Sequence, residues 1–153
     1  MSEPRETWLC PDTLFDGATL LRGMAVCLVG DQVTKVRAVS EIPVGASWRK
    51  VRGLVTPGFV DLQVNGGGDV LLNTSPTVDG MVAIAAAHRR FGTVGILPTV
   101  ITDRAAVLAR VANAAVAAKG RTGILGLHIE GPHIAALRRG THAEDLQIGR
   151  AHV

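Results

Sequence analysis

Apolar and small residues fill the stretch Val94-Gly95-Ile96-Leu97-Pro98-Thr99-Val100-Ile101, which predicts a strand. A helical pattern lies on each side of it. Before it, apolar residues at helical spacing predict a helix over Thr77–Phe91, with Gly92 as a carboxy-terminal cap. After it, Thr102 is predicted to cap a second helix over Asp103–Lys119.

Two more strand candidates flank these helices, Leu54–Val64 and Ile124–Glu130. The resulting βαβαβ order predicts parallel strands with helical crossovers. It fits the start of either a doubly wound sheet or a (β/α)8 barrel. A barrel needs about 250 residues, and three strands cannot close one. If the fold is a barrel, a chain of 153 residues is expected to be truncated.

The first part of the chain reads as strands and turns instead. Apolar or alternating runs cover Ala18–Leu21, Met24–Val29 and Gln32–Val39, which is typical of a small β module, part of a sandwich. We therefore expect three segments. They are a partial β-sandwich at 1–53, a partial (β/α) barrel at 54–146 and a non-native tail at 147–153.

Composition excludes several classes of protein. No window approaches 18 uncharged apolar residues, so no membrane span is predicted, and the first residues do not form a secretory signal. The net charge of +3 is small, and the basic residues are scattered along the sequence. No nucleic-acid partner is therefore expected. Cys10 and Cys27 lack the spacing of metal ligands and need not pair. A reducing, cytoplasmic location is the expectation.

Polar side chains gather where the predicted strands end. Side chains alternate between the faces of a strand, so Asp61, Gln63 and Asn65 share one face, and His128 and Glu130 share another. In parallel α/β folds, function lies at the carboxyl ends of the strands. The pattern predicts a polar mouth in which Glu130 could bind a metal or act as a base.

Each of these residues also has a structural interpretation. Glu130 alone could cap a helix or form an ion pair with Arg138 or Arg139. His128 alone is more often a hydrogen-bonded interior histidine than a ligand. The run Gly66-Gly67-Gly68 is more typical of a flexible turn than of a phosphate site, because no helix and no Walker lysine follow it.

Three motifs together resemble the N-acetylglucosamine-6-phosphate deacetylase family of the amidohydrolase superfamily. They are Val55–Gly66, Gly92–Thr102, and Leu125–Pro132 followed by Gly140-Thr141-His142. The first 53 residues also look like the family's amino-terminal β-sandwich portion. The resemblance extends to about Leu146, but covers only the first part of the family's length.

The resemblance implies a specific site. Glu130 matches a ligand of one divalent metal ion, Zn²⁺ or a similar ion, and Thr141 and His142 match a loop that contacts the sugar phosphate. Gln63-Val64-Asn65 stands where many amidohydrolases carry His-x-His for a second metal, and carboxamides are poor zinc ligands. His133 departs from the bulky apolar residue usual after Gly-Pro. Thr141-His142 alone would more often be a solvated loop.

The implied activity is hydrolysis of the acetamide of N-acetylglucosamine 6-phosphate, giving glucosamine 6-phosphate and acetate. The family uses two later histidines and an aspartate at the last barrel strand, which this chain lacks. We therefore predict that the chain as written is inactive. The full-length parent is expected to be cytoplasmic and homo-oligomeric, without a membrane or nucleic-acid partner. Alternatives are an amidohydrolase for another N-acetyl amino sugar or a cyclic amide, and a non-catalytic sugar-phosphate-binding fragment.

The last six residues, Ile148–Val153, do not resemble the family. They correspond to the codons ATC GGA AGA GCA CAC GTC, which occur in a common sequencing adapter. We hypothesise that the native reading frame is lost after Leu146. A genuine carboxy-terminal strand or a processing tail is the alternative, and the nucleotide sequence would decide between them.

Overall fold

A computed structural model describes residues 5–147. The chain divides into two compact units, Met1–Pro57 and Gly58–Val153, which we describe separately. Of the predicted tail at 147–153, residues 148–153 lie outside the described residues. Within the described part of the chain, neither helix has the length and apolarity needed to cross a membrane.

The first unit contains one five-stranded sheet. Its strands are β1 (Glu6–Phe15), β2 (Leu20–Leu21), β3 (Met24–Val29), β4 (Gln32–Ala38) and β5 (Ser47–Val55). The order is β2-β1-β3-β4, and β5 pairs in parallel with β1 on the other side. The second layer of a sandwich stays a prediction, because residues 5–57 form a single sheet.

Two strands of this sheet were not expected from the sequence. β1 contains Pro11, and β5 carries the charged residues Arg49, Lys50 and Arg52, so neither has a clear apolar run. The small core lies on β1 and β3, where Trp8 and Cys27 are almost fully buried. Neither Cys27 nor Cys10, which is also buried, forms a disulfide within residues 5–147.

The predicted strand Leu54–Val64 is wrong as a single element. β5 ends at Val55, and a new strand, β6, begins at Phe59 in a different sheet. Pro57 lacks a backbone N–H group and so cannot continue a ladder of hydrogen bonds. The boundary between the two units accordingly lies at 57/58 rather than at 53/54.

The second unit has the predicted βαβαβ order. Its elements are β6 (Phe59–Val64), α1 (Val78–Arg89), β7 (Thr93–Ile101), α2 (Ala105–Ala117) and β8 (His128–Glu130). The three strands are parallel, in the order β6-β7-β8. The last strand is shorter than expected, because Ile124 makes only an isolated bridge to Ile96 before β8 begins. A complete barrel stays a prediction.

One core joins the helices to the sheet. Met81 and Ile84 of α1, Val111 of α2, and Ile96 and Val100 of β7 are all at most 1% exposed. The helices therefore cover one side of β7 and leave the ends of the strands free to carry polar groups.

The two helices begin differently. Thr77 caps α1, and its hydroxyl accepts a hydrogen bond from the Gly80 N–H at 3.0 Å. The expectation that Thr102 caps α2 is wrong. α2 begins at Ala105, after Arg104, without a side-chain cap. The hydroxyl of Thr102 lies instead 2.7 Å from His142 Nδ1, so it is engaged elsewhere.

Candidate functional site

Glu130 is the last residue of β8, and its side chain is 30% exposed. Asn65, just after β6, donates from Nδ2 to Glu130 Oε2 at 3.3 Å. His142 lies on the other side, with Nε2 3.4 Å from Oε1. The structure thus brings together three residues that the sequence placed at the mouth or in the nearby loop.

The contact between Asn65 and Glu130 shows that the sheet curls. β6 and β8 both flank β7, and neighbouring strands are about 4.8 Å apart, so their backbones are separated by roughly twice that distance. Their side chains nevertheless meet across β7. A second contact on the same side joins His128 Nδ1 to the Leu62 carbonyl oxygen at 3.1 Å. Asn65, His128 and Glu130 therefore lie on the concave side.

The pKa of Glu130 is set by competing effects. Burial alone would raise the pKa, but hydrogen bonds from Asn65, His142 and Gln63 outweigh burial and lower it below its usual value. The group is therefore a carboxylate near neutral pH, able to accept hydrogen bonds or bind a cation.

The structural interpretations of Glu130 and His128 have different outcomes. Among the described residues, neither Arg138 nor Arg139 pairs with Glu130, and the Arg139 guanidinium lies 3.8 Å from Glu144. His128, in contrast, is hydrogen-bonded to a backbone carbonyl, as the structural interpretation expected. Its proposed place at the mouth is compatible with that bond, since only one ring nitrogen is used.

His142 is 5% exposed, although the residues on both sides of it in sequence, Thr141 and Ala143, are exposed. Its Nδ1 atom contacts both the hydroxyl and the backbone N–H of Thr102, at 2.7 and 3.4 Å. The loop therefore turns the imidazole inward. Sequence reasoning singled out His142 from a motif, but it gave Thr102 a different role.

Two further polar residues make contacts that the sequence did not predict. Thr99, at the end of the predicted strand β7, accepts a hydrogen bond at Oγ1 from the Val64 N–H at 2.8 Å, where the β6–β7 ladder is irregular. The side-chain amide of Asn73 pairs with both the N–H and the C=O of Ile101 at 3.1 Å, as a neighbouring strand would. Asn73 Nδ2 also contacts Asp103 at 2.8 Å. No sequence pattern distinguishes Asn73 from an ordinary loop residue.

The glycine run is a compact turn. Gly66 and Gly68 have positive φ angles, +88° and +59°, and Gly67 pairs with Val70. From α1, His88 Nε2 contacts the Gly66 carbonyl at 2.9 Å. A side chain on Gly67 would collide with that imidazole, so close packing accounts for the small residue, in agreement with the turn interpretation.

A cavity of about 480 Å³ lies beside this mouth, within the size range of small-molecule sites. Its polar lining includes Asn65, Asn73, Thr99, Thr102, Asp103 and Thr141. Gln63 and His133 are exposed. Of the residues implied by the resemblance, Asn65 and Thr141 line the cavity.

The described residues supply only part of the ligand set that the metal ion implied by the resemblance would need. Within residues 5–147, no three His, Cys, Asp or Glu side chains come together as metal ligands. A catalytic zinc site uses three protein ligands and an open position. Glu130 is a chemically suitable donor, and His142 is the nearest other one. The described residues do not complete the site, and no reaction step through a metal follows from them.

Comparison with known proteins supports the sequence motifs, although no known family profile matches the chain. The chain is 43% identical over 97 residues to an N-acetylgalactosamine-6-phosphate deacetylase of a Shewanella species, covering 62% of the chain and 25% of that protein. It is 32% identical over 131 residues to the N-acetylglucosamine-6-phosphate deacetylase of Haemophilus influenzae, covering 80% of the chain and 33% of that protein.

Solved structures give the same result. The N-acetylglucosamine-6-phosphate deacetylase of Pasteurella multocida has a TM-score of 0.82 at 25% identity, covering 95% of this chain and 39% of its own. A mutant of the Mycobacterium smegmatis enzyme, in complex with N-acetyl-D-glucosamine 6-phosphate, has a TM-score of 0.82 at 29% identity, covering 96% and 38%. The chain is similar over most of its length to such deacetylases, and spans about a quarter to a third of the curated relatives it matches.

Proposed function

We propose that this chain is part of an amide hydrolase that converts N-acetylglucosamine 6-phosphate to glucosamine 6-phosphate and acetate. The supporting observation is the place of Glu130, a carboxylate at a strand end on the concave side of the sheet. It lies within the segment that resembles the deacetylases, and hydrogen bonds keep it ionised.

Each residue of the mouth receives a role in this proposal. Glu130 is one ligand of a divalent metal ion, Zn²⁺ or a similar ion, which in hydrolases activates water and polarises the carbonyl. Asn65 and Gln63 orient the carboxylate. The remaining ligands would be residues other than those described. The aspartate that acts as general acid and base in the family would also be such a residue.

Thr141 and His142 are proposed to contact the substrate. Thr141 lines the cavity, and His142 contacts both Thr102, another residue of the cavity lining, and Glu130. An amino-sugar phosphate in the cavity would therefore lie close to His142. The complete protein is further proposed to be a (β/α)8 barrel with a β-sandwich, homo-oligomeric and cytoplasmic. Its proposed partner is the amino-sugar phosphate.

A second candidate substrate is N-acetylgalactosamine 6-phosphate. The 43% identity to a deacetylase named for that sugar favours it. The two sugars differ only in the configuration of the hydroxyl at C4, so the same acetamide chemistry would serve both. Discrimination would depend on hydrogen bonds to that hydroxyl, which can change rates strongly when the partner is left unpaired.

A chimera tests the proposal. Residues 58–147 would replace the matching segment of the Shewanella deacetylase, and acetate release from both sugar phosphates would be measured. We expect turnover of at least one of them, with the parent enzyme as a positive control and the isolated 153-residue chain inactive. A folded chimera that releases no acetate from either sugar would contradict the proposal.

A further inference from the structure

Thr102 is a buried residue next to the site. The proposed chemistry gives it no role. It is 4% exposed and directly follows β7. Its hydroxyl and its backbone N–H both face one nitrogen of His142, Nδ1. A histidine held by two groups of one residue has little freedom to rotate.

The backbone contact determines which ring nitrogen of His142 carries the proton. A backbone N–H can only donate, so the Nδ1 atom that it contacts at 3.4 Å must be an unprotonated acceptor. The hydroxyl agrees with this. It is 2.7 Å from Nδ1 but 3.5 Å from the Glu130 carbonyl oxygen, so donation to Nδ1 is the shorter and stronger bond.

The other end of the ring faces Glu130, with Nε2 3.4 Å from Glu130 Oε1. A neutral imidazole that accepts hydrogen bonds at Nδ1 carries its single hydrogen on Nε2. The contacts of Thr102 with Nδ1 therefore predict the tautomer that presents an Nε2–H group to Glu130.

Close packing against Gly131 supports a fixed place for Thr102. A Cβ atom on Gly131 would overlap Thr102 Oγ1, so the hydroxyl occupies space that any other residue type at 131 would fill. Gly131 directly follows Glu130. The same hydroxyl thus packs against the end of β8 and contacts the loop that carries His142.

We propose that Thr102 is a positioning residue, which holds His142 in its Nε2–H tautomer and directs that single donor toward Glu130. The inference rests on the proposed function in one respect, since the Nε2–H group of His142 has a use in catalysis only if an amino-sugar phosphate binds beside Glu130. The tautomer itself is a property of the chain and does not depend on catalysis.

Nuclear magnetic resonance of the chain labelled with ¹⁵N-histidine tests the tautomer. Long-range ¹H–¹⁵N spectra at about pH 8, above the ordinary imidazole pKa of about 6.5, distinguish protonated from unprotonated ring nitrogens. His142→Gln identifies the His142 signals by their loss. We expect Nδ1 of His142 to be unprotonated and Nε2 to be protonated.

Substitutions then test the role of Thr102. Thr102→Val keeps the shape but removes the hydroxyl, and we expect the His142 signals to shift toward a mixture of tautomers. Thr102→Ser should restore the wild-type pattern. Thr99→Val removes another buried hydroxyl, in the preceding strand β7, which bonds the Val64 N–H instead of His142, so it should leave the His142 pattern unchanged.

Two outcomes would overturn the proposal. One is a wild-type spectrum with the proton on Nδ1, which decides the question even if no variant folds. The other is a folded Thr102→Val variant with unchanged His142 signals. In the chimera, Thr102→Val should lower kcat/KM by about ten- to a hundredfold, the usual range for a residue that orients a site residue. An inactive chimera with the expected tautomer would contradict the proposed function alone.

Discussion

At the scale of single residues, the mouth depends on a few close contacts between polar groups. Glu130 accepts from Asn65 and His142, and His142 is held by Thr102. The motif around Glu130 could be recognised in the sequence, and the alternation of side chains along the strand grouped it with His128. The role of Thr102 could not be predicted, because a threonine before a helix looks like a cap. Only the fold brings His142, forty residues later, to its hydroxyl.

Gly131→Ala is expected to destabilise the second unit strongly. Gly131 has a φ of +90°, and the new methyl group would overlap Thr102 Oγ1. Gly120→Ala is the matched control, because Gly120 has a φ of +81° and open space around its Cβ position. We expect a loss of about 1–2 kcal/mol for the control from backbone strain, and about 1–3 kcal/mol more for Gly131→Ala from overpacking. Denaturant unfolding measures both; equal losses would contradict the close contact.

Asp12→Asn should make the first unit less dependent on pH. A hydrogen bond from the Gly53 N–H, aided by Lys50, lowers the pKa of Asp12 below its usual value. A lowered pKa in the folded state adds stability above the unfolded pKa of about 3.9, and this is lost as the pH falls through the folded value. The stability difference between wild type and variant should be present at neutral pH and disappear in acid. A difference that grows in acid would contradict this assignment.

At the scale of elements, helices and strands with a clear local sequence pattern were predicted. Strands whose place depends on pairing with a distant part of the chain were not. α1 was placed to within two residues at each end because its apolar residues recur at helical spacing, which is a local signal. β5 was missed, because its charged side chains give no apolar run and its place depends on pairing with β1. The β6 strand was found but joined to β5, since an apolar run continues across the unit boundary at Pro57-Gly58.

Asn73→Ala is expected to loosen the loop between β6 and α1. The substitution removes the partner of both the N–H and the C=O of Ile101, at a cost of about 1–3 kcal/mol for unpaired backbone groups. Asn113→Ala, at an exposed position of α2, is the control and should change stability little or increase it slightly. Thermal unfolding of both variants checks this. An Asn73→Ala variant as stable as the control would show that Asn73 contributes nothing there.

At the scale of the whole molecule, the second unit leaves apolar side chains uncovered on its outer strands. Val60 and Leu62 on β6 are 57% and 62% exposed, and Ile129 on β8 is 53% exposed. Among the described residues, each of these strands pairs on one side only. Unpaired edges with apolar side chains favour association between chains.

The isolated chain is therefore expected to self-associate as its concentration rises. Leu62→Lys places a charge on an edge strand and should reduce light scattering. Leu20→Lys makes the same chemical change at an equally exposed position, 64%, in the first unit, and should have less effect. A monomer at all concentrations, with one sharp unfolding transition, would contradict the expectation.

Acetate release by the chimera carrying Glu130→Gln tests the central claim most directly. The variant keeps the size of the side chain but removes the charge that we propose binds the metal ion. Activity should fall by at least about a hundredfold, whereas Glu144→Gln, at an exposed position of the following loop, should leave it nearly unchanged. Full activity of Glu130→Gln would show that this carboxylate is not part of the reaction, and the proposed site would have to be abandoned.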